Sequence, residues 1–301
     1  MGATTYHPLT SKSAVNRVTG MPFNWSLNPY RGCVHACHYC YARATHTYFG
    51  LNADGDFERE IFAKTNIAEM LDKDLSRPSW KGESIAIGTA TDAYQPIEGH
   101  LKLTRACLEQ LIRHRNPATV VTKSTLVARD IDLWQELATV AEVRVYFTIT
   151  TLDDEIWRRA EPGTPRPLLR LETLRAVSQA GIPTGVLMAP VLPGITDSER
   201  SILSVAEAVA EAGATTFTAL PLRLDPFVRE HYYDWIARSY PELKRRYDRS
   251  FTNRHTSKAY QERIKAITEE ARARFGLDQR RMRGTAEQSR PSGMIQLSLS
   301  A

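Results

Sequence analysis

Short apolar runs alternate with amphipathic helical patterns along the central part of the chain. The runs are rich in β-branched residues and predict buried strands over residues 84–91, 118–123, 142–151, 182–190 and 215–222. Apolar positions at helical spacing follow most of these runs, over residues 100–114, 130–140, 168–181 and 196–213. Strand–helix repeats of this kind predict a parallel sheet covered by helices.

Local signals predict where several of these helices begin and end. Asp130 is the expected N-cap of the helix over 130–140, and Thr196 is the expected N-cap of the last helix, which should end at Gly213. Gly181 suits the C′ position of the helix over 168–181, because glycine adopts a positive φ angle without strain.

One more strand is expected just before Cys33, which brings the total to six. The sequence therefore predicts an α/β fold, a partial (β/α)6 barrel over residues 24–222, preceded by an irregular arm over residues 1–23. Beyond it the pattern changes to helices rich in aromatic and basic residues. We expect residues 223–301 to form a helical extension, with an edge strand over 294–299.

The composition is that of an ordinary globular protein, with 42% hydrophobic and 24% charged residues. No apolar run approaches the roughly 18 residues that span a bilayer, and the amino-terminal residues lack the apolar core of a signal peptide. We therefore expect a cytoplasmic protein with no membrane partner. The net charge of +5 is concentrated between residues 223 and 283, where 16 Lys and Arg stand against 9 Asp and Glu.

Three of the four cysteines, Cys33, Cys37 and Cys40, lie close together in the sequence. Clustered thiols predict a metal site in a reducing compartment rather than disulfides, and thiolates suit zinc or an iron–sulfur cluster. A closed zinc site needs a fourth ligand, which His35 or His38 could supply. A four-iron cluster held by three cysteines would instead leave one iron free to coordinate a small molecule.

The cysteine spacing, Cys-x₃-Cys-x-aromatic-Cys with Tyr39 at the aromatic position, resembles the signature of radical S-adenosylmethionine enzymes. Its place after the first strand of a β/α series strengthens the resemblance. The chain is similar in particular to the spore-photoproduct-lyase-related branch of that family. This similarity covers residues 24–222 and is carried by the segments 28–43, 122–134 and 150–199.

The resemblance implies two cofactors, a [4Fe-4S] cluster on the three cysteines and S-adenosylmethionine. In this family the cluster passes one electron to S-adenosylmethionine, the C5′–S bond breaks, and the resulting 5′-deoxyadenosyl radical abstracts a hydrogen atom from a substrate. A flavodoxin- or ferredoxin-type protein would supply the electron. The protein's own task is to orient the cofactor and to exclude water.

The resemblance also implies which side chains surround S-adenosylmethionine. Tyr39 would pack near the adenine, and Arg170 would pair with the methionine carboxylate, since a guanidinium fork matches that group. Lys123, which closes a predicted strand, is the expected catalytic residue. The remaining contacts, to the methionine amino group and to the ribose, would come from strand ends: Thr89, Thr91 and Asp92 for the former, Thr148 and Thr150 for the latter.

At the position of the hydrogen donor, this chain differs from the related lyase. Spore photoproduct lyase repairs a thymine dimer in DNA and uses a cysteine near the end of its second strand, where this chain has Thr89. An alcohol O–H bond is too strong to release a hydrogen atom readily. Cys107 lies on a predicted apolar helix stripe and is expected to be core. Dimer-lyase activity is therefore not expected, and among Tyr30, Tyr41 and Tyr94 the sequence singles out none as a relay.

Nucleic acid is the first candidate substrate, because the extension is basic and aromatic. Its aromatic residues are expected to pack on the barrel, which leaves a basic cluster for phosphate contact: Lys244, Arg245, Arg246 and Arg249. Two alternatives stay open. One is a radical enzyme that modifies a peptide or protein; the other is a Cys₃His zinc module that binds nucleic acid without catalysis.

Overall fold

The computed structural model describes residues 3–278. In chain order the strands are β1 (Thr5–Leu9), β2 (Val15–Arg17), β3 (Trp25–Leu27), β4 (Tyr30–Arg31), β5 (Glu60–Lys64), β6 (Ile85–Ile87), β7 (Ala118–Thr122), β8 (Val143–Thr148), β9 (Thr184–Val191), β10 (Thr216–Pro221), β11 (Phe251–Thr252) and β12 (His255–Thr256).

The α-helices are α1 (Gly55–Arg59), α2 (Ile67–Leu75), α3 (Glu98–Leu101), α4 (Leu103–Arg113), α5 (Ile131–Val140), α6 (Asp154–Ala160), α7 (Pro167–Gln179), α8 (Glu199–Glu211), α9 (Pro226–Ser239), α10 (Lys244–Ser250) and α11 (Lys258–Phe275). Three 3₁₀ helices join them, Tyr41–Phe49, Thr125–Asp130 and Pro241–Leu243.

The main sheet contains the five strands that the apolar runs predicted, and β3 is its sixth parallel strand. Its order is β10-β9-β8-β7-β6-β3-β2, and β3, β6, β7, β8, β9 and β10 are parallel along it. The short strand β2 adds to β3 in the antiparallel direction. The open parallel sheet, with helices between its strands, confirms the predicted partial (β/α)6 barrel.

The core lies between the main sheet and the helices that cover it. Phe147 and Val186 from the strands pack with Leu174 of α7 and Ile202 of α8, all of them fully buried. Cys107 of α4 belongs to the same core and is fully buried, as its place on an apolar stripe predicted. Parallel strands that are covered on both faces explain why the runs are continuously apolar.

Asp130 occupies the expected N-cap position of α5, whereas the N-cap expected at Thr196 differs from the structure. Asp130 precedes α5, but its carboxylate forms ion pairs with Arg105 and Arg129, at 2.9 and 2.7 Å, instead of capping the helix. Ser198, rather than Thr196, caps α8, because its hydroxyl accepts a hydrogen bond from the backbone N–H of Ser201. The expectation for Gly181 is confirmed, with a φ angle of 80° just after α7.

A second, three-stranded sheet lies outside the predicted barrel. Its order is β1-β5-β4, so the amino-terminal arm, expected to be irregular, contributes β1 to this sheet and β2 to the main one. Strand β4 ends two residues before Cys33, and Cys33 donates its backbone N–H to Phe57 O just before β5. The small sheet therefore supports the beginning of the cysteine segment.

The carboxyl-terminal helices pack against the barrel in two places. Ile264 and Ala271 of α11 join the main core beside α8 and β10. Tyr232, Trp235 and Tyr247 are buried in a separate cluster that also contains Cys37 and Tyr39. The aromatic residues of the extension thus pack inward, as their helical spacing predicted. The edge strand expected over 294–299 lies outside the described residues.

No helix among residues 3–278 is both long enough and apolar enough to cross a bilayer.

Candidate active site

The three clustered cysteines lie on the segment that joins β4 to the 3₁₀ helix Tyr41–Phe49. Cys33 and Cys37 are buried, Cys40 is half-buried, and all three thiols are free. Burial raises the pKa of Cys37 to about 12, although Lys123 and Arg170 nearby favour the thiolate. Burial raises the pKa of Cys33 as well. Since a bound metal stabilises the thiolate, these thiols suit a cationic metal cluster better than they suit free ionisation.

Arg43 holds the backbone of this segment in place. Its guanidinium is fully buried and makes four hydrogen bonds and one ion pair. The Nε and one Nη group donate to the carbonyl oxygens of Cys37 and Ala36, at 3.0 and 3.1 Å. The others bind two further carbonyl oxygens and pair with Glu58 at 2.7 Å. Four hydrogen bonds and an ion pair from one side chain therefore fix the turn that presents the cysteines.

The end of β6 braces the cysteine segment from one side. The hydroxyl of Thr91 donates to Gly32 O at 2.6 Å, directly before Cys33. Asp92 pairs with His35, with 3.2 Å between Oδ2 and Nδ1. The remaining lone pairs of Asp92 accept from Tyr94, Thr122 and the backbone N–H of Lys123. Burial opposes ionisation, but His35 and these donors hold the pKa of Asp92 at about 2.

The segment between α6 and α7 braces the cysteines from the other side. Gly163 donates its backbone N–H to His35 O at 3.1 Å, and His38 donates to Ala160 O. A Cβ atom at Gly163 would lie 2.1 Å from Val34 O, so only glycine allows the two backbones to approach this closely.

We expect Gly163→Ala to displace the cysteine segment and to lower iron incorporation. Gly99→Ala is the matched control, because its Cβ would meet only one side-chain atom, of Leu126, at 4.0 Å. Iron content after anaerobic reconstitution and the midpoint of urea unfolding measure the two effects. Equal iron contents in both variants would show that the close approach does not matter.

Glu161, which the sequence reasoning did not select, is the centre of a buried polar cluster. Its Oε1 accepts hydrogen bonds from the hydroxyls of Tyr39 and Thr150, and its Oε2 lies 2.5 Å from an Nη of Arg170. Burial alone would raise the pKa of Glu161, but Arg170, Lys123 and these hydrogen bonds hold it at about 2. The cluster brings together three of the expected cofactor residues.

The guanidinium of Arg170 has other partners than the methionine carboxylate that was expected. Its fully buried guanidinium also donates to Pro165 O at 2.9 Å, to Thr148 O at 3.0 Å and to the hydroxyl of Thr164. Four of its five N–H groups thus bind protein acceptors, including the carboxylate of Glu161. Arg170 organises the protein around the cysteines and does not offer a free fork to a methionine carboxylate.

Lys123 extends towards the same cluster from the end of β7. Its ammonium nitrogen lies 5.5 Å from the ring centroid of Tyr39. Burial would lower the pKa of Lys123, but Cys37 and Glu161 outweigh it and raise that pKa, so the side chain is a cation. The structure therefore places a positive charge beside the cysteines and beside Tyr39.

The other expected residues lie at the strand ends, and they differ in which of their polar groups are already hydrogen-bonded within the protein. Thr150 uses its hydroxyl on Glu161, as Thr91 does on Gly32. Thr89 accepts a long contact from Asn28, at 3.4 Å, and its carbonyl oxygen accepts the hydroxyl of Tyr41. Thr148 is buried, and its carbonyl oxygen binds Arg170.

The candidate fourth zinc ligands are held by other partners. His35 pairs with Asp92, while Nδ1 of His38 lies 3.1 Å from Nε2 of His231 and its ring stacks on Trp235. Among residues 3–278, no group of three or more His, Cys, Asp or Glu side chains forms a site for a metal ion. The three cysteines are included in this statement, so it applies equally to a zinc site and to a cluster site.

The structure separates the three tyrosines named as relay candidates. The hydroxyl of Tyr30 donates to buried Glu98, and that of Tyr94 accepts from Trp134 in the core. Tyr41 is half-exposed and directly follows Cys40, and its hydroxyl donates to Thr89 O at the end of β6. Tyr41 thus reaches the end of β6, beside Thr89.

The residues that sequence reasoning missed are Arg43, Glu161 and Gly163. Each lies inside a segment that carries the family resemblance, and that position was the available signal. Their partners lie far along the chain, as for Tyr39 and Glu161, which are 122 positions apart. No local spacing encodes such a contact.

Comparison with known sequences agrees with this geometry. The model of the Radical SAM superfamily matches residues 27–206. An uncharacterized protein of Mycobacterium tuberculosis is 41% identical over 246 residues, which cover 81% of this chain and 72% of the relative. An uncharacterized protein of Methanocaldococcus jannaschii is 28% identical over 194 residues, which cover 64% of this chain and 70% of the relative.

Solved structures share the fold. A spore photoproduct lyase variant with bound AdoMet and dinucleoside spore photoproduct superposes with a TM-score of 0.65 at 16% identity, over 90% of this chain and 79% of that chain. A second complex of that lyase with the dinucleoside gives the same TM-score at 17% identity, with the same coverage. With the matched family model spanning the cysteine segment and most of the barrel, the chain belongs to the radical S-adenosylmethionine superfamily.

Proposed function

We propose that this enzyme binds a [4Fe-4S] cluster through Cys33, Cys37 and Cys40 and cleaves S-adenosylmethionine reductively to abstract a hydrogen atom from a substrate. The observation that carries the proposal is a set of three free thiols on one braced segment whose neighbouring histidines are held elsewhere. The cluster would supply the electron that breaks the C5′–S bond. A flavodoxin- or ferredoxin-type protein is the proposed electron donor.

Lys123 is the proposed partner of the methionine carboxylate. Lys123 and Arg170 are the cations that act on Cys37, and Arg170 is already paired with Glu161. The ammonium of Lys123 forms no ion pair within 4 Å with any carboxylate among residues 3–278. Tyr39 and the strand-end residues Thr89 and Thr148 complete the proposed binding wall, as the resemblance implies.

Tyr41 is the proposed hydrogen-transfer residue. A phenol O–H bond is weaker than an alcohol O–H bond, because the ring delocalises the unpaired electron. Tyr41 can therefore return a hydrogen atom to a substrate carbon radical, a role that Thr89 beneath it cannot fill. The flavodoxin- or ferredoxin-type donor would then supply the electron, and solvent the proton, that restore the phenol.

We expect Tyr41→Phe to keep cleaving S-adenosylmethionine without substrate while losing coupling to product formation. Tyr48→Phe is the control, since Tyr48 lies in the same 3₁₀ helix and is 84% exposed. With a substrate identified, the ratio of product to 5′-deoxyadenosine measures the share of cleavage events that yield product. A coupled Tyr41→Phe enzyme would remove Tyr41 from the hydrogen transfer.

Nucleic acid is the proposed substrate class. The buried aromatic residues of the extension cannot stack on bases. Lys244, Arg245 and Arg249 of α10 are exposed and can contact phosphates. Arg246 faces Asp197 at 3.5 Å and is the least suited of the four to bind phosphate. The solved lyase of the same fold was bound to a dinucleoside photoproduct, which supports nucleic acid as the class.

We expect DNA or RNA affinity to depend strongly on salt, and this dependence tests the proposal. If Lys244, Arg245 and Arg249 each contact a phosphate, changing all three to Gln should lower the slope of log affinity against log salt by about 2.7 for duplex DNA. Fluorescence anisotropy with labelled oligonucleotides measures the slope.

The matched control removes three exposed cations elsewhere: Lys81 before β6, Arg113 at the end of α4 and Arg115 before β7. Their removal should change the slope far less. Equal slopes for the two triple variants would mean that α10 makes no phosphate contacts. No binding at low salt would set nucleic acid aside and favour a peptide or protein substrate.

A further inference from the structure

One face of the small sheet brings two cationic side chains together. Arg31 of β4 pairs with Phe62 of β5, so the side chains of Arg31, Phe62 and Lys64 lie on the same face. The opposite face carries Tyr30 and Ala63, which pack in a buried apolar cluster. Arg31 and Lys64 are diagonal neighbours across the two strands, about 7–8 Å apart, a distance that long side chains can span.

Lys64 is buried without a partner for its charge. The residue is 5% exposed, and no hydrogen-bond acceptor or carboxylate among residues 3–278 lies within bonding distance of its ammonium. Burial and the neighbouring Arg31 lower the pKa of Lys64 to about 8. Cys107 does not offset the charge, because burial raises the pKa of its thiol and keeps it neutral. Since a buried ammonium without hydrogen bonds is costly, this position suits a ligand that supplies negative charge.

His46 lies over the same face with one ring nitrogen unused. Its ring stands edge-on to Phe62, with 6.1 Å between the centroids, and its Nε2 donates to Glu60 O at 2.9 Å. Burial lowers the pKa of His46, so the ring is neutral and Nδ1 is an acceptor. That nitrogen is fully buried and has no hydrogen-bond partner. Arg31 acts on the pKa of both His46 and Lys64, which places its cation near both side chains.

The carboxylates around this face are bound to other groups. Glu60 pairs with Nε2 of His7 at 2.6 Å, and the ring of His7 stacks on Phe62 at 5.0 Å. Asp56, which acts on the pKa of His46, accepts a backbone N–H at 2.9 Å. Neither carboxylate is paired with Lys64. His7, Glu60 and Phe62 are half-buried, so the face is open to solvent on this side.

We propose that this face binds a phosphate group between Lys64, Arg31 and His46. Lys64 supplies three N–H donors and a charge, and Arg31 adds a permanent positive charge. Nδ1 of His46 accepts the P–O–H hydrogen of a hydrogen phosphate, a group that sulfate lacks at neutral pH. The phosphate group is either free phosphate or the terminal phosphate of a nucleic acid. The site requires neither the cluster nor S-adenosylmethionine.

Urea unfolding at pH 7 and constant ionic strength tests the site, with phosphate, sulfate or chloride as the anion. Phosphate should raise the midpoint of wild-type protein along a saturating curve, because a ligand that binds only the folded state stabilises it. Sulfate should raise the midpoint without saturation, since it acts by exclusion from the protein surface. Equal curves for phosphate and sulfate would contradict the role of His46. The absence of any saturating phosphate effect would overturn the proposal.

Lys64→Met separates a binding role from a structural one. In chloride the variant should be at least as stable as wild type, because methionine removes a buried, unpaired cation. Its apparent affinity for phosphate should be at least about tenfold lower, since the charged hydrogen bonds are lost. Lys12→Met is the control, because Lys12 is exposed, and it should change neither property. Unchanged phosphate affinity in Lys64→Met, or an equal loss of stability in chloride and in phosphate, would overturn the proposal.

Two oligonucleotides of one sequence distinguish the sources of the phosphate group. One carries a 5′-phosphate and the other a 5′-hydroxyl, and fluorescence anisotropy at constant ionic strength compares their affinities. Tighter binding of the phosphorylated strand, removed by Lys64→Met, would assign the site to a terminal phosphate. Equal binding of the two strands, together with the saturating effect of inorganic phosphate, would assign it to free phosphate.

Discussion

Changing Cys37 to Ala should abolish both iron incorporation and the cleavage of S-adenosylmethionine. Only two thiols would remain for a cluster that needs three. Because Cys37 is buried, water would not replace its thiolate as an iron ligand of comparable affinity. Wild-type protein reconstituted without oxygen should carry about four iron atoms per chain. It should release 5′-deoxyadenosine slowly even without substrate, and the Cys37→Ala protein should release none.

The matched control for this experiment is Cys107→Ala. Cys107 is also a buried thiol, but it lies in the main core on α4, away from the cysteine segment. Removing one small buried side chain costs about 1 kcal/mol, so the protein should stay folded and keep its iron. Iron and sulfide content, visible absorbance and 5′-deoxyadenosine yield give three readouts. Cleavage retained by the Cys37→Ala protein would contradict the ligand assignment.

The second large effect is expected for Glu161→Gln, which should destabilise the fold by about 3–5 kcal/mol. The change keeps the shape of the side chain but leaves the buried Arg170 cation without its counter-charge at 2.5 Å. Urea unfolding measures the effect as a lower midpoint with an unchanged slope. Adding Arg170→Gln to this variant also removes the hydrogen bonds of Arg170 to Pro165, Thr148 and Thr164. The double variant should still lose less than the sum of the two single changes, because the two groups are paired.

Glu155→Gln is the control for Glu161, because both carboxylates pair with an arginine. Glu155 is 69% exposed and pairs with Arg159 within α6, so its loss should cost less than about 0.5 kcal/mol. Equal costs for the two variants would mean that the buried pair does not stabilise the fold.

Acid should act on wild-type protein through the same carboxylate. Glu161 has a pKa of about 2 in the fold, below the ordinary value of about 4.3. A carboxyl with a lowered pKa stabilises the fold fully above its unfolded pKa, and this contribution is lost as pH falls from about 4.3 towards 2. Urea midpoints measured through that window should fall more steeply for wild type than for Glu161→Gln. Parallel curves would assign the acid sensitivity to other groups.

Spacing along the chain predicted part of the site but not the partners of its residues. The three cysteines and Tyr39 lie on one segment, so their spacing alone predicted a shared site. Arg170 was expected to bind the cofactor because a guanidinium suits a carboxylate, and that chemistry holds. The carboxylate that it binds is Glu161, which comes to Arg170 through the fold. Lys123 and Tyr41 gained their proposed roles only when the positions of their neighbours were known.

The sequence by itself determined the series of strands and helices, the buried place of Cys107 and the grouping of the cysteines, because each depends on periodicity or spacing within a short stretch. The tertiary structure decided the rest. It paired Glu161 with Arg170, brought Gly163 against Val34, and set the hydroxyl of Tyr41 on Thr89. Such contacts depend on how the strand ends and loops converge in space, and residue identity alone does not specify which of several chemically suitable partners will be near.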